Sequence, residues 1–274
     1  MQKQWITGHS YFRDRGPIMA MFNFEQPKSA LMAARRIEPF TYDPDAEPDL
    51  THDEFSQTHE LSLDITLALT VVGPRVPISA AQWFTFDDPD LDQASILSGT
   101  RRGQLLEILP KQPGDYPILD PAEAQQIVQA YLALQGDTRR KVRVALKRLN
   151  QAQRLHSVGD RALELSTAFE TLLGDDATTE MTHKIKVRSV RLVGGTDDVR
   201  TKNAAVINKA YSIRSKLVHT GHVDSAGFET VFDQQMNVSD IIDHAVTMCV
   251  DLIKIIIRRG SIPNWSIFDI TEQT

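Results

Sequence analysis

The chain contains one cysteine, Cys249, in 274 residues. A single thiol excludes an internal disulfide framework and any Cys-rich zinc module, and fits a reducing cytoplasm. Long apolar runs are missing as well. The most apolar stretch, residues 241–257, is interrupted by Asp243, His244, Asp251 and Lys254, so nothing reaches the run of about 18 residues that a membrane span needs. Residues 1–10 lack the apolar centre of a secretory signal. Also absent are a Walker-type glycine loop, a dinucleotide-binding fingerprint, a nucleophile elbow and a His-Glu-x-x-His zinc helix. The segment from Asp88 resembles a calcium loop only at its start. Its sixth position is Gln93 where glycine is required, and its twelfth is Gly99 where a bidentate glutamate belongs. These absences predict a soluble, cytoplasmic protein with no cofactor and no metal.

What is present is ordinary for a folded chain: 41% hydrophobic and 24% charged residues. The length suggests two domains. Net charge is −6 but unevenly spread. Residues 1–120 carry 10 Lys and Arg against 18 Asp and Glu, whereas residues 121–260 carry 20 against 16. The overall balance argues against non-specific nucleic-acid binding, while the second half stays basic enough to contact phosphates.

Periodicity also divides the chain. From Leu61 to Val71 every odd position is apolar, which predicts a strand with one buried face. Further strands are expected at Trp83–Phe86, Ile96–Leu97 and Leu105–Leu109. A short helix is expected over Ser29–Arg36, and an acidic loop over Tyr42–Glu54. The second half reads as helices, opened by Asp120-Pro121, Asp160, Thr196 and Ser239, with glycines at 174, 194 and 260 closing three of the helices and the helix from Thr196 running to about His219. The expectation is an α+β protein: a β-rich accessory or recognition domain at 1–117, an all-α bundle at 118–262 and a tail at 263–274.

Few side chains suggest chemistry. Cys249 sits among aliphatic residues and reads as a buried structural thiol. His219 and His222 are spaced like two metal ligands, but no third lies nearby. The remaining candidate is the segment Tyr211-Ser212-Ile213-Arg214-Ser215-Lys216-Leu217-Val218-His219-Thr220-Gly221. On a continuous helix Arg214 and His219 point about 140° apart. They can converge only if the helix frays near Thr220-Gly221 or if a symmetric partner supplies half of the site. The plainer alternative is that Arg214 pairs with an acid and His219 caps the helix C-terminus, where a cation gains about 0.3–1 kcal/mol.

At these residues the chain resembles the Apea-like HEPN family, whose hallmark is Arg, four to six residues, then His. Asp160-Arg161-Ala162-Leu163-Glu164 leading to Leu172-Leu173-Gly174, and a basic helix with Lys184, Lys186, Arg188 and Arg191 ending in Val193-Gly194-Gly195, strengthen the likeness. It covers about residues 120–260. One departure is Thr220, which stands between His219 and Gly221 where the family phrase often has glycine directly after histidine.

The resemblance implies a metal-independent endoribonuclease in bacterial stress or anti-phage defence, acting as a homodimer that packs both Arg/His motifs into one cleft. It implies His219 as general acid/base toward the ribose 2′-hydroxyl and Arg214 as the holder of the phosphorane oxygens, with Ser215 and Lys216 binding substrate phosphate. RNA is the implied partner, DNA is not, and a toxin-like setting adds an antitoxin or sensor partner. The alternative is a non-catalytic dimeric RNA- or nucleotide-sensing module. The acidic N-terminal half is expected to lie away from the motifs or to shield them.

Overall fold

Residues Thr51–Ala68 form an α-helix, α1, and Leu69–Val71 a 3-10 turn, in the computed structural model of the chain. The structure describes residues 51–72, 76–77, 81–82, 90, 100–101, 119–175 and 179–271. The strand expected over Leu61–Val71 is therefore a helix. Burial falls on Asp64, Ala68, Val71 and Val72, a helical spacing, while Leu61 is exposed. An isolated strand leaves its N–H and C=O groups without partners, whereas a helix pairs them internally; the hydroxyl of Thr66 adds a bond to the Ser62 carbonyl at 2.8 Å.

The β-rich N-terminal domain is overturned with it. The described residues are mostly helical. Strand pairing before residue 119 is confined, among them, to two-residue segments, β1 (Ala81–Gln82) and β2 (Thr100–Arg101), aligned antiparallel with Ala81 opposite Arg101. The acidic loop expected up to Glu54 overlaps the start of α1 at Thr51. The other strands expected in this half, the helix over Ser29–Arg36 and most of the acidic turn after Asp88 lie outside the described residues.

The chain divides into two compact units, the second made of Leu67–Pro77 and Tyr116–Thr274. That unit is a helical assembly of α2 (Pro121–Ala133), α3 (Gly136–Arg154), α4 (Val158–Leu173), α5 (Met181–Val193), α6 (Asp197–Thr220) and α7 (Val238–Arg259). Local chemistry sets their ends. The carboxylate of Asp120 accepts from Ala122 N at 2.9 Å ahead of Pro121 at the first helical position. Ser157, rather than Asp160, caps α4, accepting from Asp160 N at 3.3 Å. Thr196 caps α6 and Asn237 caps α7, while Gly221 and Gly260 take the left-handed conformation that ends each.

α7 runs through the core with Ile241, Ala245, Cys249, Leu252 and Ile256 buried. α3 and α4 pack on it with Leu146, Leu149, Leu165 and Phe169. Residues 68–72 join this core: Ala68, Val71 and Val72 are buried in it, and Asn150 Nδ2 reaches Thr70 Oγ1 at 3.3 Å and the Pro77 carbonyl at 3.4 Å.

Two features have no counterpart in the sequence reading. A hairpin, β3 (Phe228–Val231) and β4 (Gln234–Asn237), precedes α7, turning at Phe232 and Asp233 with φ of 45° and 61°. The segment set apart as a tail is docked through its described part, residues 263–271. A short helix, α8 (Trp265–Phe268), buries Trp265 and Phe268 edge to face at 5.2 Å. Arg188 of α5 anchors it. Its guanidinium is only 2% exposed, donates to Asp175 Oδ2 and Asp269 Oδ2 at 2.6 Å each and to the Leu173 carbonyl, and lies 5.1 Å over the Trp265 ring. The ammonium of Lys184 and the guanidinium of Arg188 hold the Asp175 carboxyl down at about 2.

Candidate functional site

α6 runs unbroken from Asp197 to Thr220. Its buried face is Asn203, Val206, Ile207, Ala210, Tyr211 and Ile213. This face fixes the directions of the residues beyond it. Arg214 continues the edge of the buried face and is half-buried. Ser215 lies further round and is half-buried too, while Lys216 and His219 are exposed. Because the helix does not fray before Gly221, Arg214 and His219 leave it about 140° apart and about 7.5 Å apart along its axis. One chain does not bring them together.

Thr220 explains the unbroken end. Its hydroxyl donates to the Lys216 carbonyl at 2.7 Å, and His222 N donates to it at 3.4 Å. Gly221 then closes the helix with φ of 69°, its N–H donating to the Leu217 carbonyl at 2.7 Å. Thr220 thus carries the helix one position past His219, and the left-handed turn falls at Gly221.

Arg214 has an unusual environment. Its Nε is buried and donates to nothing, and its guanidinium forms no ion pair among the described residues. One turn back, Tyr211 sends its hydroxyl between α6 and α4 to the Ser166 carbonyl at 3.4 Å. Burial above all, then the negative charge of Glu170, pushes ionisation of that hydroxyl far above the usual phenol range, and the positive charge of Arg214 opposes the shift. The Arg214 charge therefore stands near a neutral phenol and a carboxylate at the α4–α6 seam without being spent on a salt bridge. His219, Ser215 and Lys216 also make no side-chain hydrogen bond or ion pair among the described residues. A cation, a hydroxyl, an ammonium and an imidazole are thus all left available at one end of α6. The pairing of Arg214 with an acid that the plainer alternative supposes is not seen among the described residues.

The other candidates do not assemble. His222 is exposed beside His219, and no group of three or more His, Cys, Asp or Glu able to hold a metal ion forms among the described residues. Cys249 is fully buried, and burial pushes its thiol up to about 12. No helix among the described residues is long and apolar enough to cross a membrane.

Sequence reasoning did not find Tyr211 or Glu170 as companions of Arg214. The signal was the i, i+3 spacing of Tyr211 and Arg214, which places both on one side of a helix. Comparison with protein-family models, curated proteins and solved structures returns no match to this chain. The family resemblance rests on the motif residues alone.

Proposed function

We propose that the chain is an endoribonuclease of HEPN type whose active site is composite, with Arg214 from one protomer and His219 from a symmetric partner. The observation that carries this reading is the unbroken α6, which leaves both side chains without an ion pair among the described residues, at the same helix end yet turned away from each other. A two-fold axis near that end supplies the missing half of each site without any change in the helix.

In this reading His219 takes the proton from a ribose 2′-hydroxyl as that oxygen attacks the adjacent phosphorus. An imidazole is suited to the task because its ordinary pKa lies near neutral pH. The 5′-oxygen leaves with a proton returned by that imidazolium or taken from water, and the products are a 2′,3′-cyclic phosphate and a 5′-hydroxyl. Arg214 neutralises the charge that builds on the phosphorane oxygens, where a planar fork outperforms an ammonium. Ser215 and Lys216 hold the neighbouring phosphate. DNA lacks the attacking hydroxyl and is not cut.

The test is incubation of the purified protein with RNA in EDTA beside Arg214→Ala and His219→Ala. Cleavage by the parent that both variants lose supports the reading, and cleavage unchanged in either variant overturns it. The divergence of Arg214 and His219 within one chain favours a second reading if the protein is monomeric: an RNA-binding module in which loss of His219 alone leaves binding intact.

A further inference from the structure

Helix α3 carries seven Lys and Arg against a single acid, Asp137, within a chain of net charge −6. Its apolar face, with Val142, Ala145, Leu146 and Leu149, is buried in the bundle. Opposite that face, Arg140 and Lys147 stand seven residues and about 10.5 Å apart along the helix, and Arg148 flanks them; Arg154, seven residues further on, is half-buried with its Nε and Nη2 enclosed.

Arg140 is 73% exposed and pairs, among the described residues, with Asp137 alone, and Arg148 is 47% exposed and pairs, among the same residues, with Glu164 alone. Exposed pairs of this kind contribute little and are readily exchanged for another anion. Lys147 is exposed and forms no ion pair among the described residues. The row also has a direction. Arg154 ends α3, α4 begins at Val158, and Gly159 lies against Leu217, in the turn of α6 that carries His219. The basic row therefore runs toward the end of the bundle that holds the candidate site.

We propose that this outer row of α3, centred on Arg140, Lys147 and Arg148, is the track of an RNA phosphate backbone entering the His219 end, an inference that rests on the ribonuclease reading above. A lipid surface fits less well. The apolar face of α3 is already used in the core, and within the row only Val144 is apolar, so the helix has nothing to insert. Guanidinium forks suit phosphate oxygens, and phosphate contacts hold an RNA without reading its sequence.

The experiment measures binding of a fluorescein-labelled single-stranded 2′-O-methyl RNA of mixed sequence, which has no free 2′-hydroxyl and stays uncut, to the full chain, by anisotropy across a salt series. Each phosphate contact contributes about −0.7 to the slope of log K against log salt for a single strand. The variant Arg140→Gln/Lys147→Gln/Arg148→Gln is expected to flatten the slope by about 2 and to weaken binding at least tenfold. The substitution Lys147→Gln, which breaks no ion pair, is expected to flatten it by about 0.7 and keeps the test valid if the triple variant misfolds. Unchanged slopes in the α3 variants, no RNA binding by the parent, or binding only to mixed phosphatidylcholine–phosphatidylserine vesicles overturns the proposal. Binding through α3 without cleavage by the parent overturns the nuclease reading alone.

Discussion

Gly159 lies directly against Leu217: a Cβ at position 159 would stand 2.9 Å from Leu217 Cδ1, 3.3 Å from Leu217 Cβ and 3.1 Å from Val223 Cγ2. The first turn of α4 and the last turn of α6 approach this closely only because residue 159 has no side chain. The contact sets where Leu217, and with it the exposed His219 two residues on, emerges from the bundle. Gly159→Ala is expected to cost about 1–3 kcal/mol through overpacking. It is also expected to lower any RNA cleavage more than its loss of stability explains. Thermal melts and cleavage assays at a temperature where both proteins are folded check this.

Arg188 joins α5 to both Asp175 and Asp269, and removing it leaves two carboxylates facing each other beside a buried indole. Arg188→Ala is expected to destabilise the fold by on the order of 3 kcal/mol, as breaking a buried pair does. Arg188→Lys is expected to recover only part of this, because one ammonium cannot reproduce the fork that reaches both carboxylates and the Leu173 carbonyl. Denaturant titrations of the three proteins give the comparison.

His244 is half-buried on α7 with Nε2 3.0 Å from Asn203 Oδ1. Burial, and then the nearby charge of Lys202, holds its pKa below 6.5. The folded state therefore binds this proton less readily than the unfolded chain. The stabilisation is complete above the unfolded value of about 6.5 and is lost as pH falls through the lower folded value. Stability measured from pH 7.5 to 5 is expected to decline, and His244→Gln, which cannot titrate, to flatten that decline.

Cys249 is fully buried, with its thiol raised to about 12, so thiolate is scarce and inaccessible at neutral pH. The native protein is expected to be inert to a thiol reagent such as dithionitrobenzoate at pH 8. One equivalent of thiol should react after denaturation. Rapid native labelling would contradict the packing of α7.

Where the fold could be read from the sequence, the signal was local. Asp120-Pro121, Thr196 before a run of helix formers, and the glycine at 260 each mark a helix end through their own backbone chemistry. The strand expected at Leu61–Val71 fails because alternating Leu and Ile also occur on a helix, and burial there follows Asp64, Ala68 and Val71 instead. The β3–β4 hairpin escaped notice because its turn uses Phe232 and Asp233 at positive φ, where glycine or asparagine is the expected signal. The docking of residues 263–271 depends on Arg188 reaching Asp269, 81 positions away, and no local pattern announces such a pair. For the site, residue type and spacing singled out Arg214 and His219, but their divergence depends on where α6 ends. The hydroxyl of Thr220, bonded back to the Lys216 carbonyl, sets that end beyond His219, and no local pattern separates it from a helix frayed at Thr220-Gly221.

The central claim is that Arg214 of one protomer works with His219 of another. The most direct test mixes Arg214→Ala with His219→Ala, each inactive alone, under conditions that allow subunits to exchange. A composite site predicts restored RNA cleavage. Half of the dimers formed at random are mixed, and each of those has one intact site of two, so activity should return to about a quarter of the parent's. A mixture as inactive as its two components, with exchange demonstrated by differently tagged chains, would contradict the composite site.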